Sequence, residues 1–103
     1  MRFEIAYLPI ADKDLARISD ALIEYPAKAK RLFQEIDNKI KVLEDMPFLW
    51  PEYEPRPEYR KMVLEDHLLF YSVDQSEQKI KVYRILYSKM DIPTHLNSAE
   101  VMP

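Results

Sequence analysis

Residues 79–91 read KIKVYRILYSKMD, from Lys79 to Asp91, and their reading decides the fold. Ile80, Val82 and Leu86 share one parity, while Lys79, Lys81, Tyr83, Ile85 and Tyr87 share the other, the period of two of a β-strand. Arg84 falls on the apolar parity. A guanidinium there costs several kcal/mol unless a carboxylate pairs with it or a bulge re-aims it. Two explanations stay open. One is structural, with Glu65 or Asp91 as the partner; the other is functional, with Arg84 held out for a phosphate or an acidic protein.

Upstream, Asp74–Gln78 reads as a turn, His67–Val73 and Tyr59–Leu64 as strands, and Glu65-Asp66 as the tight turn between them. Residues 47–58 hold Pro47, Pro51, Pro55 and Pro57, a density that predicts an ordered crossing loop without regular structure, pinned by Trp50. Before it, Ala29, Leu32, Phe33, Ile36, Ile40 and Leu43 form a helical stripe. Ala11, Leu15, Ile18, Leu22 and Tyr25 form another, with acids near its start. Pro26 separates the two, so they are expected to form an antiparallel hairpin. Phe3, Ile5 and Tyr7 alternate as an N-terminal strand. The expectation is an α+β domain: a strand, a helix hairpin, then a three-strand antiparallel meander in one small sheet. It is assigned to residues 1–96, with 97–103 as a loose tail.

Composition narrows the functions. The 103 residues include no glycine, no cysteine and two histidines. A phosphate-cradling glycine loop, a dinucleotide fingerprint, a disulfide framework and a thiolate metal site are therefore excluded, and no metal or cofactor is expected. No apolar run nears the roughly 20 residues that span a bilayer, and no signal-peptide layout follows Met1, so a cytoplasmic chain without a membrane partner is expected. The formal net charge of -3 argues against strong non-specific nucleic-acid binding. Charge is nevertheless uneven: residues 79–90 carry Lys79, Lys81, Arg84 and Lys89 without an acid, leaving room for a local basic patch.

The order of elements carries a further signal, together with Tyr59-Arg60 opening one strand, Leu69 to Asp74 (LFYSVD) on the next, and Tyr83 to Tyr87 (YRILY) followed by Asp91. In these features residues 2–93 resemble the RelE/ParE superfamily of toxins. The resemblance implies a compact sheet with a helix hairpin, and a cognate antitoxin that wraps and silences the toxin. It implies growth inhibition by poisoning DNA gyrase or by ribosome-dependent cleavage of mRNA; an interaction module on the same fold is the third reading.

Against the ribonuclease branch the match is partial. Arg60 stands where that branch has a basic residue, but Leu68 stands where it usually has an arginine, Tyr87 where a histidine often serves, and Lys89-Met90 supplies half of a basic pair. Cleavage through the 2′-hydroxyl needs a base, an acid and positive charge on the phosphate. On the resemblance, Arg60, Arg84 and Tyr87 are the candidate catalytic groups, with His67 as a remote base. A phenol offers an acid more readily than a base near neutral pH. Lys61, Lys81 and Lys89 are the candidate contacts for substrate or partner. The gap at Leu68 and the acidic pI of about 5.4 favour binding over cleavage.

Overall fold

The computed structural model describes residues 2–101, with side chains through Leu96. Its order is β1 (Glu4–Tyr7), α1 (Pro9–Ala21), α2 (Pro26–Leu43), β2 (Glu52–Tyr53), β3 (Arg56–Val63), β4 (His67–Asp74), β5 (Lys79–Tyr87) and α3 (Ile92–Val101). The five strands form one sheet in the order β1-β5-β4-β3-β2. β1 runs parallel to β5, and the remaining neighbours are antiparallel. The expected strand, hairpin and meander are all present.

Prolines open both long helices. Pro9 and Pro26 occupy the first turns of α1 and α2, where a missing N–H costs no helical bond and φ is already set. The α1 stripe ends sooner than its spacing suggests: Tyr25 lies beyond the helix and is exposed, as is Ile23. The hairpin lays Ile18, Leu32, Ile36 and Ile40 on one face of the sheet, against Met62, Leu69, Tyr71 and Ile80. Trp50 packs against this cluster, which makes it the anchor its position suggests.

The proline-rich crossing is more regular than expected. Glu52 and Tyr53 form a two-residue edge strand, and β3 already begins at Arg56. Proline is tolerated there because an edge strand leaves one row of N–H groups unused, and a register shift between Glu52 and Tyr53 absorbs the irregularity.

A bulge in β5 corrects the parity assignment. Phe70 pairs with Arg84, but Tyr71 pairs with Val82, so Tyr83 is an extra residue. Alternation reverses across it. Ile80 and Val82 face the hairpin, and beyond the bulge Ile85 does so, whereas Tyr83 and Leu86 face the opposite side.

That opposite side carries α3, an element the sequence reading lacks. Ile92 and Leu96 pack with Phe70, Tyr83 and Leu86 in a second apolar cluster. The Tyr83 hydroxyl donates to the Leu96 carbonyl at 2.9 Å. Asp91 caps the helix, accepting from the Thr94 amide at 3.4 Å and hydroxyl at 2.9 Å. The helical backbone runs into the expected tail as far as Val101; the side chains from 97 onward and residues 102–103 lie outside the described residues.

Candidate functional site

Arg84 is a structural residue by its contacts. β1 pairs with β5 only as far as Val82, with the Leu8 amide bonded to the Val82 carbonyl at 3.0 Å. Past that point α1 lies against the open margin of β5, and Asp14 takes the place of a strand neighbour: its Oδ2 accepts from the Ile85 amide at 3.0 Å. The same carboxylate receives Arg84 in two bonds, Nε at 2.8 Å and Nη2 at 2.9 Å, and Arg17 Nη2 at 2.8 Å. Arg84 Nη1 donates to the His95 carbonyl of α3 at 2.8 Å. Asp14 is fully buried and Arg84 nearly so. The partner is thus neither Glu65 nor Asp91, and the guanidinium ties three elements together rather than facing solvent. Its sequence signal was Asp14 itself, an acid three residues from Ala11 and four from Ile18, on the buried stripe of α1.

Arg60 sits near the other margin of the sheet, on β3 between β4 and the edge strand β2. Its Nη1 donates to the Trp50 carbonyl at 2.7 Å and the Phe48 carbonyl at 3.4 Å. The guanidinium carbon lies 4.9 Å from the Phe48 ring centroid, a cation–π contact. Glu52 approaches at 3.9 Å. Arg60 thus holds the loop in place while keeping part of its surface in water.

Tyr87 ends β5 opposite His67 in the register. The two rings meet edge to face, with centroids 5.7 Å apart. Burial pushes the His67 pKa below its ordinary value, with Lys28 acting in the same direction and Asp66 and Glu35 opposing. Its Nδ1 is enclosed and finds no hydrogen-bond partner among the described residues. Tyr87 is half-exposed. This pairing, which sequence could not place, joins the candidate acid to the remote candidate base.

The three candidate catalytic groups do not converge. Arg60 pairs with Tyr71 and Tyr87 with His67, so four residues of β4 and two strand spacings separate them, on the order of 15 Å. Lys61 and Arg84 do flank Phe70 in register, but the Lys61 ammonium lies over the Tyr53 ring at 5.7 Å. Lys81 pairs with Asp74 at 3.4 Å, and Lys79 with Glu4 at 3.9 Å. Much of the basic run is therefore matched by acids that lie outside it. Lys89 is exposed, just past β5. Among the described residues there is no cluster of three metal-ligating side chains, and no helix is long and apolar enough to cross a membrane.

Residues 5–92 match the family described as ParE toxin of type II toxin–antitoxin system, parDE. A search of curated protein sequences returns no match. Among solved structures, the chromosomal ParDE system of P. aeruginosa has a chain similar at TM-score 0.68 and 22% identity, covering 84% of this chain and 96% of that one. A mutant of the E. coli toxin RelE in its free state is similar at TM-score 0.71 and 13% identity, covering 98% and 96%. The toxin–antitoxin complex RelBE2 of Mycobacterium tuberculosis gives 0.55 and 16%, covering 84% and 99%. These identities speak for the fold alone, a helix hairpin on an antiparallel meander. The family match spans most of the chain, from β1 through the start of α3, and with it the chain belongs to the ParE toxins of type II toxin–antitoxin systems.

Proposed function

We propose that this toxin inhibits growth by binding its target, DNA gyrase being the target that its family resemblance suggests, and that a cognate antitoxin silences it. The observation that carries the binding reading is the sequestration of Arg84. A nearly buried guanidinium already committed to Asp14 and the His95 carbonyl is not presented to a phosphate, and Arg60 and Tyr87 sit at different ends of the sheet. A surface that acts by contact needs no such convergence. Lys61, Lys81 and Lys89 are the proposed contacts for the antitoxin or target, because their charge is at least partly exposed and can meet acidic groups on a partner. The test is induction of the chain alone and with its genetic neighbour, followed by DNA supercoiling by purified gyrase. Growth arrest, rescue by the neighbour and inhibited supercoiling are the expected results. Normal growth with soluble folded protein would refute toxicity.

The apposition of Tyr87 and His67 favours a second reading, a ribosome-dependent endoribonuclease with a reduced site. An imidazole kept neutral by burial can accept a proton, and the phenol beside it can donate one. Tyr87→Phe separates the two: cleavage of ribosome-bound mRNA would drop about 100-fold in a nuclease, whereas a binding toxin keeps its full potency.

A further inference from the structure

A cavity of about 330 Å³ opens at the end of the sheet, between the C-terminal half of α1 and the end of β5. This is at the lower bound for small-ligand pockets. Ile18, Leu22 and Met90 form its apolar walls, and the rings of His67 and Tyr87 close one end. The cavity borders the helix hairpin, with Met90, which also packs against the α3 cluster, at its wall, and none of Arg60, Lys61 or Arg84 lines it.

The charges at its mouth are unbalanced. Arg17, Lys28 and Asp66 line the cavity. Lys28 and Asp66 pair at 3.7 Å and offset each other. Arg17 shares Asp14 with Arg84, so one carboxylate meets two guanidinium groups and a positive charge is left over. Arg84 is buried, whereas half of the Arg17 side chain is exposed, so that surplus is presented to solvent at Arg17. With Nδ1 of His67 enclosed, the imidazole's remaining hydrogen-bonding capacity is at Nε2.

We infer that this cavity is a binding site for a small amphipathic carboxylic acid, with an aliphatic or aromatic body between Ile18, Leu22 and Met90 and its carboxylate at Arg17. The apolar walls supply burial for the body. A guanidinium that already donates to one carboxylate through Nη2 retains donors for a second. The inference does not rest on the toxin's target or on its mode of action.

Octanoate and octan-1-ol, titrated separately into the full chain, are the probes, followed by amide chemical shifts. Octanoate is expected to saturate in the millimolar range, with shifts centred on Leu22, His67 and Tyr87, and to bind at least five-fold more tightly than the alcohol. Arg17→Gln should abolish that preference while leaving alcohol binding unchanged. Ala21→Phe, which fills the cavity from an exposed helix position, should abolish binding of both probes at an unchanged melting temperature. Absence of saturable shifts in the folded protein, or undiminished binding in Ala21→Phe, would overturn the site. Equal affinity for acid and alcohol, insensitive to Arg17→Gln, would overturn its assignment to an anion.

Discussion

The two margins of the sheet hold their arginines in opposite ways. At the β5 margin, Arg84 is sealed by a buried carboxylate that also completes the strand's backbone bonding through the Ile85 amide. At the β3 margin, Arg60 rests on two loop carbonyls and the exposed ring of Phe48. The first is a largely buried polar network, in which removing Asp14 or Arg84 strands the other in a dry interior. The second borders water, which can replace what is lost. Sequence alone places both arginines in strands of similar character; the difference lies in what covers each margin.

The largest effect should come from breaking the buried network. Arg84→Ala leaves Asp14 buried with only Arg17 as a counter-ion, and Asp14→Ala leaves Arg84 without a carboxylate. Each is expected to destabilise the fold by about 3–5 kcal/mol in urea unfolding. The double variant Asp14→Leu/Arg84→Met should recover much of this loss, since no charge is then stranded, but not all, because the Ile85 amide keeps no acceptor. A single-variant loss below about 1 kcal/mol would erase the contrast between the margins.

At the open margin, Arg60→Ala should cost about 1–2 kcal/mol, through lost bonds to the Trp50 and Phe48 carbonyls and the lost ring contact. The distinguishing readout is local: limited proteolysis should accelerate within residues 46–51, with the rest of the chain still protected. Global unfolding equal to that of Arg84→Ala would show that the loop belongs to the core after all.

A smaller effect concerns pH. Burial lowers the His67 pKa in the fold, so the unfolded chain binds a proton that the folded one resists. The stability associated with neutral His67 is complete above its unfolded value near 6.5 and is lost as pH falls from there toward the folded value. Wild type should therefore lose stability over that interval, and His67→Gln should remove most of the slope. An identical slope in both proteins would assign the dependence to other groups.

The smallest change in stability is expected for Lys81→Glu combined with Lys89→Glu, because both side chains are at least partly solvated and the Lys81–Asp74 pair is screened by water. Melting should be unchanged within error, while association with the antitoxin slows and loses salt dependence. Unchanged binding kinetics would move the partner surface away from this strand.

Local patterning was enough for most of the architecture. The hairpin, the meander and the parity of Ile80 and Val82 follow from side-chain spacing, because helix and strand periodicity are properties of neighbouring residues. Asp91 followed by Pro93 was a legible start signal for α3, hidden because the polar residues beyond it suggest an unpacked tail. Tertiary structure alone decided the rest. The bulge at Tyr83 depends on how β4 pairs with β5, and the cavity exists only where α1 and the sheet end fail to close on each other. Asp14 and Arg84 lie 70 residues apart. Sequence showed a misplaced arginine on a strand and left Asp14 among the acids near the start of a helix; only packing that brings α1 to the open edge of β5 makes each the reason for the other, since a buried charge is tolerated where its counter-charge is delivered by the fold.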